Sequence, residues 1–259
     1  MAFVVFNQFP DFDTNVYPKI STFIATLKSL NQEVFFLDKN NDSHTIQGVK
    51  DHILTTKYGL IIGYMKEVEH RDALVRFVKQ LKLHILLELP DYIYLDSNNF
   101  LVYGDTIFIG LNEKVNSDAG TFLFRRLVAK RKFFSKVIGI RCPDFDLVDV
   151  FRILSVDNKK YLFMNPDLIL KDALLFNDKS ASFFNVKKIK ARSNFFEVKP
   201  EESTLKHLRF FVSDKNVLLF DDAFRLRKFF EENKFNLFLM DSNLRNSGVF
   251  PYNLIKEFH

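Results

Sequence analysis

The sequence predicts an α/β fold in which one strand, helix, strand unit is repeated around a shared core. Two observations carry this expectation. Apolar residues alternate between strand and helix spacings in the same order five times along 259 residues. Each unit, of about 45 to 55 residues, is also too small to bury its own apolar face and must lean on its neighbours. Composition agrees: 47% hydrophobic and 27% charged residues, with only 8 Gly and 7 Pro, is the profile of a chain that folds throughout. An ordinary open α/β sheet is the alternative topology.

In the first unit, residues 2–9 read as an apolar strand, and Ile20, Phe23, Ile24 and Leu27 take the i, i+3, i+4, i+7 spacing of a helix face before a second strand at 34–37. The second unit has a strand at 60–62, a helical stripe of Leu74, Phe77, Val78 and Leu81, and a strand at 85–89. The third opens on a hairpin, 100–102 with 107–111, turned at Gly104-Asp105; a helix starting at Asn116 or Ser117 and a strand at 137–140 follow. The fourth unit repeats the hairpin at 150–154 and 161–164 around Asp157-Asn158, then predicts a short helix near 168–175 and a strand near 183–189. The fifth places strands at 210–212 and 217–220, a helix over 223–235 and a strand at 237–240. The last segment, 249–255, is expected to return and close the ring.

Several function classes are excluded at this level. No apolar run reaches the roughly 18 residues of a membrane span, and the first residues lack the layout of a signal peptide, so a cytoplasmic protein with no membrane partner is expected. The single Cys142 makes no internal disulfide or paired-cysteine zinc site. Beside Asp144, Asp146 and Asp149 it reads as a small buried residue next to a solvated acidic loop. The six histidines lack two-ligand helical spacing and the glycines are isolated, so neither a metal nor a nucleotide cofactor is expected.

A more specific pattern lies in Ala2-Phe3-Val4-Val5, Phe9-Pro10, Leu95-Asp96-Ser97-Asn98-Asn99, Gly104, Phe108-Ile109-Gly110-Leu111, and Asn116 with Gly120. On these residues the chain resembles the dimethylarginine dimethylaminohydrolases of the pentein group of guanidine-modifying enzymes, over nearly its whole length. The resemblance implies a single pentein-like domain over 1–259, a five-fold β/α propeller of ββαβ units around a central pocket. In that family a Cys thiolate attacks the guanidinium carbon, a His shuttles protons and carboxylates hold the cation.

Residue by residue, the resemblance implies losses. The family's Leu-Asp-Gly-Gly-Asp segment reads Leu95-Asp96-Ser97-Asn98-Asn99, so Asn99 stands where a guanidinium-binding carboxylate belongs. The family's Glu-Asp pair reads Lys50-Asp51, and Lys114 replaces an arginine suited to planar contacts. Arg71 matches another family arginine, Asp149 falls nearest the catalytic His, and the stretch from Ser247 to Asn253 holds no thiol where the nucleophile belongs. A remnant pocket of Asp51, Arg71, Asn99, Lys114 and Asp149 is expected, with no catalytic residue in place and no enzymatic turnover.

The formal charge is +5 and the isoelectric point about 9.1. Arg125, Arg126, Lys130, Arg131, Lys132 and Lys136 surround Phe133-Phe134; Lys187, Lys188, Lys190 and Arg192 lead to Phe195-Phe196; a third group includes Lys206, His207, Arg209, Arg225, Arg227 and Lys228. Cations interleaved with aromatics suit phosphate neutralisation and base stacking, although a solvated helix end has the same composition. The leading expectation is a non-catalytic pentein that binds the ribosome through rRNA and ribosomal proteins, as a translation-inhibiting or hibernation-type factor. It draws on the pentein-group initiation factor that keeps ribosomal subunits apart. The alternatives are a guanidine-modifying hydrolase of the dimethylarginine/arginine class with an atypical active site, and a decoy that holds a small ligand in the old pocket. For the decoy, Lys50 and Asn99 favour an anionic or neutral ligand.

Overall fold

A computed structural model describes residues 2–6, 25–26, 28–29, 33–37, 50–64, 68–80, 82–170, 172–186, 193–247 and 255–258. Strand β1 (Ala2–Phe6) pairs in parallel with β2 (Glu33–Leu37). The helix stripe expected between them, Ile20 to Leu27, lies outside the described residues. The second unit adds a strand that the spacing did not reveal: β3 (Ile53–Thr56) forms a hairpin with β4 (Gly59–Ile62), which also pairs in parallel with β5 (Ile85–Glu88). Helix α1 (Val68–Gln80) makes the crossover, burying Leu74 and Val78 one turn apart and placing Lys79 in its last turn, where a cation suits the carbonyl end.

The third unit repeats this plan with β6 (Phe100–Tyr103), β7 (Thr106–Leu111) and β8 (Lys136–Arg141). Gly104 turns the hairpin at φ +57°, a conformation that needs no Cβ. Helix α2 (Ser117–Leu123) is capped by Asn116, whose Oδ1 accepts the Asp118 N–H at 2.9 Å, and continues as a π-helical segment, Phe124–Lys130.

In the fourth unit a single turn, α3 (Leu147–Val150), leads into the hairpin of β9 (Phe151–Val156) and β10 (Lys159–Met164). The helix expected near 168–175 is a strand. There β11 (Asp172–Phe176) pairs with β12 (Ala181–Asn185) and also lies antiparallel along β8, extending the third unit's sheet to five strands. The fourth unit's own parallel strand is β13 (Asn194–Glu197). A one-turn helix, α4 (Pro200–Thr204), leads to the fifth unit: β14 (Phe211–Ser213), β15 (Asn216–Phe220), α5 (Phe224–Glu232) and β16 (Asn236–Met240). Strand β17 (Ile255–Phe258) then pairs antiparallel with β1, so both chain ends share one sheet. The return strand was expected at 249–255; it begins at Ile255, and residues 248–254 lie outside the described residues.

The first strands of neighbouring units, β17 with β3 and β6 with β9, lie against one another. Four of these first strands, β3, β6, β9 and β14, line a central cavity of about 560 Å³. Apolar clusters fill the spaces around it. In the largest aromatic cluster, Phe163, Phe196, Phe210, Phe229, Phe230 and Phe235 pack mostly edge to face, an arrangement that contributes about 0.5–1.5 kcal/mol per pair beyond burial. No described helix is long and apolar enough to cross a membrane.

Candidate functional site

The repeat positions the site. Asp51, Asn98, Asp149 and Arg209 each stand two residues before the first strand of their unit, at β3, β6, β9 and β14. Equivalent positions in a ring of repeated units fall at the same end of it, and Asn98, Asp149 and Arg209 meet there. Arg209 donates from Nε to Asp149 Oδ1 at 2.7 Å and from Nη2 to Asp149 Oδ2 at 2.9 Å. Nη2 also reaches Asp146 Oδ2 at 3.0 Å, and Nη1 reaches Asn98 Oδ1 at 3.4 Å. Arg209 and Asp149 are each 3% exposed. Burial alone would lower the Arg209 pKa, but Asp149 and Asp146 more than offset it and raise the pKa above its ordinary value.

Asn99 organises the adjoining layer. Its Nδ2 donates to Asp96 Oδ1 and Asp146 Oδ1, both at 3.0 Å, while its Oδ1 accepts from Asn112 Nδ2 and the Leu147 backbone N–H, again at 3.0 Å. Asn99 therefore ties α3, which carries Asp149, to the start of β6. Asp96 caps the short 3-10 turn Ser97–Asn99 and accepts from Tyr94 Oη at 3.1 Å. Burial, followed by the nearby Asp146, raises the Asp96 pKa against the pull of its Asn99 and Tyr94 hydrogen bonds. A carboxylate in place of Asn99 would turn oxygen toward both Asp96 and Asp146. The residue that the resemblance marks as a lost carboxylate is thus the donor this arrangement needs.

The expected remnant residues separate. Asn99 and Asp149 lie in the centre; Asp51 lies on a 3-10 turn, close enough to bear electrostatically on Tyr94 and Asp96. Lys114 is exposed on the rim of a second cavity, of about 440 Å³, that also touches Glu113, Asp144, Asp146, Asp149 and Lys206. Arg71 departs from the expectation: on α1, more than half of its side chain is exposed, and it pairs with Glu88 rather than with the central carboxylates. The acidic run after Cys142 is likewise not a solvated loop, because Asp146 and Asp149 hold Arg209. Cys142 is buried, and burial with Asp146 and Asp149 nearby pushes its thiol up to about 12, which suits a packing role rather than a thiolate. The nucleophile stretch ends beyond the described residues, apart from the backbone up to Ser247.

The sequence groups Arg209 with the basic residues Lys206, His207, Arg225, Arg227 and Lys228, whereas the structure buries it at the centre. Its register two residues before β14 is the signal that would have set it beside Asp51, Asn98 and Asp149. Much of the remaining basic character is also engaged within the chain. Arg125 donates from Nε and Nη2 to the Asp178 carbonyl at 3.1 and 2.7 Å, Arg126 lies over the Phe122 ring, and Arg131 donates to the Leu86 carbonyl. Arg225 pairs with Glu202, and Arg227 with Glu231 at 2.9 Å. Lys130, Lys132 and Lys136 are exposed, while Lys187, Lys188, Lys190 and Arg192 lie outside the described residues.

No family model matches the sequence, and no curated protein matches it. Solved structures do. The chain is similar to an arginine dihydrolase of the cyanobacterial ornithine-ammonia cycle, with a TM-score of 0.71 and 12% identity, covering 98% of this chain and 38% of that one. It thus spans well under half the length of that enzyme. The N-terminal domain of the same enzyme, a cysteine-to-serine mutant bound to substrate, matches with a TM-score of 0.70 and 11% identity over 98% of this chain and 97% of that one. A cysteine-to-serine mutant of the Pseudomonas aeruginosa dimethylarginine dimethylaminohydrolase, complexed with citrulline, matches with a TM-score of 0.69 and 12% identity over 99% and 98%.

These neighbours correct the leading functional expectation. A non-catalytic, ribosome-bound hibernation factor rested on lost motifs and on surface charge, whereas the neighbours are arginine and dimethylarginine hydrolases and favour the guanidine alternative. Much of the charge that motivated the ribosome reading is also spent on internal contacts. The agreement in architecture over the whole length of the single-domain neighbours establishes that this chain has the pentein fold of the dimethylarginine and arginine hydrolases.

Proposed function

We propose that the chain is a guanidine-class protein of the arginine and dimethylarginine hydrolase kind with an atypical active centre. The observation that carries this reading is the polar end of the ring, where Asp149 and Asp146 grip a planar guanidinium, that of Arg209, beside a cavity of about 440 Å³. Two carboxylates in this geometry select a forked, delocalised cation over a compact ammonium. The cavity rim adds Glu113 and Asp144 for a cation, with Lys114 and Lys206 for the carboxylate of an amino-acid ligand. Ligand recognition then rests on carboxylates, and any cleavage at the guanidinium carbon uses groups other than a thiolate and imidazole pair. The buried Cys142, with its raised pKa, is not suited to be that thiolate.

Calorimetric titration of the whole chain with arginine, dimethylarginine and citrulline tests recognition, and release of ammonia or dimethylamine tests turnover. Saturable binding of the guanidino compounds, weakened by Asp144→Asn, is the expected result. Absence of both binding and product for all three compounds would overturn the reading.

A further inference from the structure

We infer that Arg209 is a resident ligand: the chain fills a guanidinium seat at its own centre with its own side chain. The seat is built for a planar fork. Both Asp149 oxygens take parallel N–H groups at 2.7 and 2.9 Å, Asp146 takes a third contact at 3.0 Å, and Asn98 Oδ1 faces the remaining nitrogen at 3.4 Å. Asn99 holds Asp146 from behind, and its bond to the Leu147 N–H fixes the helical turn that presents Asp149. The pocket wall is therefore organised apart from Arg209. That arginine enters from the short segment between α4 and β14, where its backbone N–H bonds the Lys206 carbonyl.

The cavity rim touches Asp146 and Asp149, so withdrawing the Arg209 side chain would join the seat to the cavity. A guanidinium already positioned by the chain has its translational and rotational entropy spent, an advantage that a free one at millimolar levels does not match. The wild-type chain therefore closes its inner seat to external guanidinium compounds, and a ligand of the class proposed above is confined to the outer cavity. The geometry of the seat stands independently of that proposal.

The test is chemical rescue of Arg209→Ala, followed by thermal unfolding in millimolar guanidinium chloride, with equal concentrations of ammonium and sodium chloride as controls. Arg209→Ala is expected to melt below wild type. Guanidinium at 100 times its dissociation constant is expected to raise that midpoint by about 5 °C, with no effect of the two control salts. Wild type is expected to show no rise in guanidinium. Where the single variant does not stay folded, Arg209→Ala/Asp146→Asn, which leaves one carboxylate in the seat, goes through the same titration. Equal responses to all three salts, or no response in a folded variant, would overturn the inference. Arginine binding by wild type is measured separately, so failure of the guanidine-class reading is distinguishable from failure of the seat.

Discussion

Asn99 and Arg209 meet at the same end of the ring, both buried and both surrounded by carboxylates, yet they are held in opposite ways. Asn99 is neutral, and its side chain stands in four hydrogen bonds, two as donor and two as acceptor. Arg209 is charged, and its burial is sustained by ion pairs with Asp149 and Asp146. Asp146 belongs to both arrangements, accepting from Asn99 at one oxygen and from Arg209 at the other. The difference separates what builds the site from what fills it: the amide joins backbone segments, while the guanidinium neutralises the carboxylates those segments present.

Breaking the charged half is expected to cost most. Arg209→Ala leaves Asp149 and Asp146 buried without their cation, a loss of about 4 kcal/mol in urea denaturation, because an uncompensated buried charge is the expensive state. Arg209→Lys restores charge without the fork and is expected to recover part of that loss.

Asn99→Asp comes next. Restoring the family's carboxylate should lower stability by about 3 kcal/mol, since it removes two donated hydrogen bonds and sets like charges against Asp96 and Asp146. In an Asp146→Asn background the same substitution should cost less, which denaturation of the four proteins of the cycle would measure. An equal cost in both backgrounds would remove Asp146 as the link between the two halves.

A smaller effect is expected at Gly110 on β7, where a Cβ would lie 2.6 Å from Asn99 Oδ1 and 2.8 Å from Leu147 Cβ. Gly110→Ala should destabilise by about 2 kcal/mol as an overpacking change, and should weaken amide protection at Leu147 in hydrogen exchange.

How far the sequence carried this picture follows from which forces are local. The strands at 34–37, 85–89, 107–111 and 217–220 were legible because their apolar runs are short and bounded. The fourth unit's hairpin was legible too, but the segment near 168–175 was not, because the burial of Ala173 and Phe176 keeps a helix-like spacing within a strand. What makes that segment a strand is distant: Leu174 and Leu175 pair with Gly139 and Ile138 on β8, and no local pattern encodes that edge. Asn99 and Asp149 were found through the resemblance, and Arg209 was missed because Lys206 and His207 just before it, with Arg225, Arg227 and Lys228, made it look like part of a basic surface. A partner 60 residues away decides its fate. The register of Arg209 within the repeat was present in the sequence all along, which makes alignment of units a better guide to such a site than residue type.

The smallest expected effect lies just outside the centre and sets a protonation switch against the permanent charges of Arg209. His207 is buried, with Nε2 3.3 Å from Asp222 Oδ1, and Asp222 is also gripped by Arg245 at 2.7 Å. Burial lowers the His207 pKa below 6.5, Asp222 pulls it up, and Arg245 pushes it down again. The folded chain therefore binds a proton less readily than the unfolded chain. By linkage, the stability from His207 is fully present above pH 6.5 and is lost as pH falls from there through the depressed folded value. Stability measured by denaturation from pH 7.5 downward should decline across that window, and His207→Gln should flatten the decline. The His207→Gln comparison is made with Arg209 in place, because that guanidinium keeps its charge at every pH of the series. A slope unchanged by His207→Gln would assign the pH dependence elsewhere and leave the fixed ion pairs of the centre as the stronger determinant of the ring's polar end.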